Sequence, residues 1–191
     1  MERDGSRHDE APPPLALANT VYTRRGKLLD ALATTDEFAA WLARAAPDLE
    51  TPVPEAATRS VSEADLRDAR DLRDAVRGLF AAVAEDREPE PEHRDRLNRT
   101  AASAPHWPEL RWDGGPRRER RSDAEPVTAA LAEIAASAVD LFTADSRPSI
   151  DSCASPECVR FLIRDDPRRK WCSPECGNRA RVSRYHHKRQ R

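Results

Sequence analysis

All four cysteines of this 191-residue chain fall in its last 39 residues, spaced Cys153-x4-Cys158-x13-Cys172-x3-Cys176. Two close pairs joined by a short loop suit a tetrahedral Zn2+ held by four thiolates. The competing readings are a redox pair and disulfides. A redox pair comes as C-x-x-C in a larger α/β scaffold, and neither pair here has that spacing. Disulfides belong to oxidising compartments. The N-terminal segment "MERDGSRHDEAPPP" lacks the apolar core of a secretory signal, so the expected location is cytoplasmic. No run of 18 apolar residues is present either, so no membrane span is expected.

The cysteine segment says "SPEC" twice, at Ser155–Cys158 and Ser173–Cys176. In the second copy Ser173 is a good N-cap and Pro174 suits the first helical position. Cys176 then sits in the first turn of a helix, where the dipole favours a thiolate. The first copy is expected to turn without a lasting helix, because β-type residues follow it. Between the pairs, Val159, Phe161 and Ile163 alternate with Arg160, Leu162 and Arg164, then Asp165-Asp166-Pro167 turns the chain. The expectation is a hairpin within this stretch. Knuckle, hairpin and helix together make a treble-clef-like zinc finger.

The tail is basic. From Arg147 onward there are 12 Lys/Arg against 5 Asp/Glu, a balance of +7, while the remainder, 20 against 29, is −9. A basic tail on an acidic body points to an anionic partner for the tail. In the last helix Arg181, Arg184, Lys188 and Arg191 form one stripe, with Arg179 and Arg189 beside it. Such a stripe is the electrostatic footprint of nucleic-acid binding. Asn178 and Arg179 stand nearest the helix start, where side chains reach base edges. Val182 and Tyr185 lie on a neighbouring face and are expected to pack on the hairpin. The alternative is that the helix dipole alone favours these cations, and that the finger docks on an acidic protein.

Upstream, apolar periodicity predicts helices. "LALANTVYT" (15–23) reads as a short helix interrupted at Gly26. Thr34 with Glu37 makes a capping box for a helix to Ala46. Ser60 with Glu63 makes a second, for a helix over 61–85. The Arg/Asp face of that helix reads as solvated, with i,i+4 pairs. Further helices are expected over 92–102 and 125–142. Asp113-Gly114-Gly115 marks a hairpin, the only one expected outside the tail. The body holds no Gly-rich phosphate loop and no grouped catalytic set. His93 and His106 are isolated, so the chain reads as non-enzymatic.

"RKWCSPECGNRARVSRYHHK" closely resembles the CGNR zinc finger, here Cys176-Gly177-Asn178-Arg179, with Lys170-Trp171 before the third cysteine. The segments "LALANTVYTRRGKLLDALATTDEFAAWL" and "AALAEIAASAVDLF" resemble the ABATE-type domain that precedes this finger, in which the Asn19-Thr20 pair is a recurrent feature. The resemblance implies a bacterial stress-induced transcription regulator.

The expected fold is mainly α with a small β-hairpin: a disordered arm (1–14), a helical ABATE-like domain (15–145) that folds alone and binds no nucleic acid, and a CGNR-type finger (146–191). The expected cofactor is Zn2+ on Cys153, Cys158, Cys172 and Cys176. DNA is the expected partner of Asn178, Arg179, Arg181, Arg184, Lys188, Arg189 and Arg191. A homodimer and a small-molecule ligand of the body are left open.

Overall fold

The computed structural model describes residues 11–144, 149–164 and 166–189, the last four by backbone alone. Most of the expected arm, the linker over 145–148, Asp165, the side chains of Lys188 and Arg189, and Arg191 lie outside the described residues. About half of the chain is helical, with small antiparallel strand pairs. Helix α1 runs Pro13–Ala18, so the last two prolines of the expected arm open a helix. Strands β1 (Val21–Arg24) and β2 (Lys27–Asp30) follow as a hairpin.

This hairpin corrects the helix expected over 15–23. Val21, Tyr22 and Thr23 favour a pleated strand. Arg25 and Gly26 both take positive φ, 52° and 73°, as the two-residue turn of a tight hairpin requires. An Arg-Gly turn is weaker as a signal than Asn-Gly, which is why it reads as an interruption in sequence.

Helix α2 (Thr35–Ala45) starts at Thr34 as expected, whose hydroxyl accepts from the Glu37 amide at 3.2 Å. Only half of the expected box forms, because the Thr34 hydroxyl itself donates to the Glu37 carboxylate. A 3-10 turn over Ala46–Asp48 holds Pro47. The next loop contains a short helix, α3 (Glu55–Arg59), for which Ser60 is the C-cap. The second capping box therefore belongs to Ser62 and Asp65, not Ser60 and Glu63, and opens α4 (Glu63–Ala84). A serine two residues later meets the same rule with Asp at the third helical position.

Helix α5 (Pro91–Ala102), the hairpin β3 (Trp107–Trp112) with β4 (Pro116–Arg121), and α6 (Pro126–Thr143) complete the body. α6 is apolar and long enough to cross a bilayer by length and composition. Here it is a core helix, burying Val127, Leu131, Ile134 and Ala138 against α1, α4 and α5.

The arginine face of α4 is not simply solvated. Arg73 is buried and pairs with Asp30 at 2.6 Å and Asp74 at 2.9 Å. Burial opposes its charge, but the bonds to Asp74 and Asp30 outweigh this and raise its pKa. Arg70 donates to the carbonyls of Leu32 and Ala33. These bonds fasten the end of β2 to α4.

Gly78, in the middle of α4, lets the His93 ring of α5 come in close. A β-carbon at Gly78 would collide with the His93 imidazole. Gly78→Ala should gain about 1 kcal/mol of helix propensity but lose about 1–3 kcal/mol to overpacking. The expected result is a net loss in urea unfolding that His93→Ala reverses.

The finger adds β5 (Ser149–Ser152), β6 (Phe161–Arg164) and α7 (Pro174–Arg189). β6 pairs with β5, upstream of Cys153, rather than with residues after the Asp166-Pro167 turn. The hairpin therefore encloses the first cysteine pair instead of filling the loop between pairs. Ile150 has a closed apolar face to offer there, whereas 168–170 is Arg-Arg-Lys.

Ile150 and Phe161 belong to the same buried core as Leu17, Leu72, Phe80 and Ile134. Phe161 meets the Phe80 ring edge-on at 5.6 Å, and Phe80 meets Phe142 at 5.5 Å. The body is thus closed by the finger. Phe161→Ala should cost about 3–5 kcal/mol, and removing residues 146–191 should destabilise the body, both measurable by denaturant unfolding.

Candidate metal centre and basic helix

The four cysteine sulfurs lie within 4.8 Å of one another. The Cys158–Cys172, Cys176–Cys158 and Cys172–Cys176 separations are 3.8, 3.7 and 3.6 Å. A tetrahedral cation with metal–sulfur bonds of ~2.3 Å needs sulfurs about 3.8 Å apart. The donor set and its spacing fit zinc. No disulfide joins these thiols.

Each ligand is placed by a local device. Cys153 follows β5, and its amide donates to the Arg160 carbonyl at 2.9 Å. The first SPEC makes a turn without a helix: Cys158 N–H bonds Ser155 O, and Glu157 takes φ 60°. The second SPEC opens α7, with the Ser173 hydroxyl accepting from the Cys176 amide at 3.4 Å. Cys153, Cys172 and Cys176 are buried, Cys158 half-buried. Leu162 seals the cluster and Trp171 packs beside it.

Gly177 explains one letter of its motif. A β-carbon there would lie 3.2 Å from Cε3 of Trp171. Only glycine lets the indole rest on the first turn of α7 without displacement.

Crowded sulfurs share protons. Hydrogen bonds from Cys158 and then Cys172 hold Cys153 down to about 2, helped by the amides of Cys172 and Ser155. The bond to Cys153 pushes Cys158 up to about 11. Cys172 is pushed up by Cys153 and then Cys158. Both upward shifts favour the protonated thiol where no metal is bound.

This geometry joins a four-sulfur metal site to a helical body whose order of elements is distinctive. A family model described as "Putative stress-induced transcription regulator", ABATE, matches residues 11–145. The chain belongs to the ABATE family. The CGNR zinc finger model matches residues 150–189. No curated protein matches the chain.

In this ABATE protein the Asn19 side chain bonds both backbone groups of Phe161. Its amide donates to the Phe161 carbonyl at 3.0 Å, and its carbonyl accepts from the Phe161 N–H at 2.8 Å. Arg77 makes a second bridge, donating to Ala18 O at 2.6 Å and Val159 O at 3.0 Å. Its guanidinium also lies over the Phe161 ring at 5.3 Å. Burial and then the neighbouring Arg73 lower the Arg77 pKa, though an arginine remains charged. The Asn19 of the family resemblance is therefore a joint between body and finger. Arg77 was not foreseen, because nothing in an Arg/Asp-rich helix face separates a buried bridge from a surface cation.

Among the expected DNA contacts, Asn178 is exposed but accepts from Arg181 at 2.5 Å. Arg179 is half-buried, while Arg181 and Arg184 are exposed, with Arg184 Nε donating to Ala180 O. Val182 and Tyr185 do not pack on the hairpin as expected: they are 56% and 58% exposed. α7 buries only Cys176, Gly177 and Ala180 among its described side chains.

Metal binding should displace the protons of Cys158 and Cys172. Both pKa values are raised, so protons compete more strongly as pH falls, and affinity should fall with them. Titrating metal-free protein with Zn2+ in weak buffer should release at least those two protons, read with a pH indicator.

Proposed function

We propose that this ABATE protein is a DNA-binding transcription regulator. Zn2+ holds a treble-clef-like finger together, and α7 is the element that meets DNA. The observation that carries the reading is the state of α7 beyond its metal ligand. From Arg181 to Tyr185 no described side chain is buried, and from Cys176 onward the helix has cations and no acid. A helix anchored at one end by a metal cluster, and basic along its length, suits insertion against a duplex. The family description supports the regulatory role.

The body takes the sensing or dimerising role and is not catalytic. A half-open cavity of about 330 Å³ between α4, α5, the end of α6 and β5 supports sensing. Leu79, Val83, Leu97, Leu141, Phe142 and Ile150 line it, so its occupant would be a small apolar molecule. Free thiols in a metal-type cluster agree with a reducing, cytoplasmic setting in a bacterium.

Exposed Val182 and Tyr185 favour a second reading, a finger that docks on an acidic protein. Salt dependence separates the two. Contacts from Arg181, Arg184, Lys188 and Arg191 would give a slope of log K against log salt of about −3.6. Arg184→Ala should flatten that slope by about 0.9 on any duplex. Arg179→Ala should cost ~1–3 kcal/mol on a preferred site and less elsewhere. Anisotropy at several salt concentrations measures both. A zinc-loaded protein that ignores duplex DNA at low salt overturns this function.

A further inference from the structure

We infer that the β1–β2 hairpin of the body forms, with the finger, one composite surface for the phosphate backbone of duplex DNA. The inference rests on the DNA-binding reading and extends it to residues outside the finger.

The tip reads Arg24-Arg25-Gly26-Lys27, three cations in four residues. All are exposed, and Arg24, Arg25 and Lys27 have no ion pair among the described residues. The acidic balance of the body as a whole conceals this local charge. Arg25 sits at φ 52°, in the left-handed region that glycine or asparagine adopts more readily. No contact within the described chain explains an arginine at that place.

The position of the tip is fixed, and it is fixed to the finger. Asn19, just before β1, clamps Phe161 of β6. The Arg160 guanidinium lies over the Tyr22 ring at 4.8 Å, a second tie between β1 and the finger. At the turn, a β-carbon on Gly26 would lie 3.9 Å from the Glu157 carboxylate. Glu157 precedes the metal ligand Cys158, whose sulfur is 3.7 Å from that of Cys176 at the start of α7. The hairpin turn thus lies beside the residue that precedes one cysteine of the cluster, and that cysteine's sulfur neighbours the one in the first turn of α7.

Cations spread over two elements about one metal centre suit repeated charges along a backbone better than a single bound anion. A two-stranded ribbon is also narrow enough to enter a groove. Glu157 sets one negative charge beside the three cations of the tip.

The test uses the full zinc-loaded chain and a short random-sequence duplex. Three variants are compared with the parent: Arg24→Ala/Arg25→Ala/Lys27→Ala, Arg25→Gly and Arg181→Ala/Arg184→Ala. The triple variant should flatten the salt slope by about 2.7, and Arg25→Gly by about 0.9. Arg25→Gly should also unfold at or above the parental temperature, since glycine adopts positive φ freely. Weakened binding in a protein no less stable excludes damage to the fold.

If the hairpin variants keep the parental slope while the α7 variant flattens it, the composite surface is wrong and the finger reading stands. If the parent binds no duplex, both readings fall. If the hairpin variants lose binding to an acidic polypeptide or to anionic vesicles but not to duplex, the tip serves another partner and the inference is overturned.

Discussion

The clamp of Asn19 and Arg77 on the backbone around Phe161 is the joint on which the molecule depends. It does three things at once. It satisfies both backbone groups of Phe161 on β6, where an unpaired buried amide or carbonyl would be costly. It inserts the Phe161 ring beside Phe80, in an apolar core that body and finger share. It also sets the finger at one orientation relative to α4. A side-chain amide is the natural residue for such a joint, because one group both donates and accepts. Arg77 donates through two nitrogens, linking the Ala18 carbonyl at the end of α1 to the Val159 carbonyl two residues before β6.

This joint ties metal chemistry to body stability. A bound metal would hold Cys153 and Cys158 together within the loop that leads from β5 to β6. The same two strands carry Ile150 and Phe161 into the core. Binding energy at such clusters is folding energy, so metal binding would also favour the Phe161–Phe80 contact with α4. A cation held by the four sulfurs would offset the crowding that raises Cys158 and Cys172.

Much of this was legible in local chemistry. The metal ligands follow from spacing, and the start of α7 follows from Ser173-Pro174, since caps act within one turn. Amphipathic stripes located α2, α4 and α6, because burial of one face imposes its period on the residues. Errors arose where two local rules competed. Ser60 and Ser62 both precede an acid by three residues, and only packing of α3 settled which one caps α4. Val21–Arg24 carries strand-forming residues without a strong turn dipeptide, so the β1–β2 hairpin was hidden. The exposure of Val182 and Tyr185 was equally invisible, since apolar residues on a helix face promise burial without naming the surface that would provide it.

By itself, then, the order of residues determined the metal site, the helical character of the body and the charge of the final helix. Each of these rests on interactions between residues close in the chain, whose geometry is set by helix and turn periods. Only the tertiary structure decided that β6 pairs with β5, that Asn19 and Arg77 hold Phe161, and that the Arg24–Lys27 tip stands beside the metal knuckle. The β5–β6 pairs join residues 9 to 15 positions apart, and the bonds of Asn19 and Arg77 join residues 59 to 142 apart. Their partners are ordinary backbone carbonyls and amides, which carry no signature in sequence, and so they are chosen by the packing of the whole core.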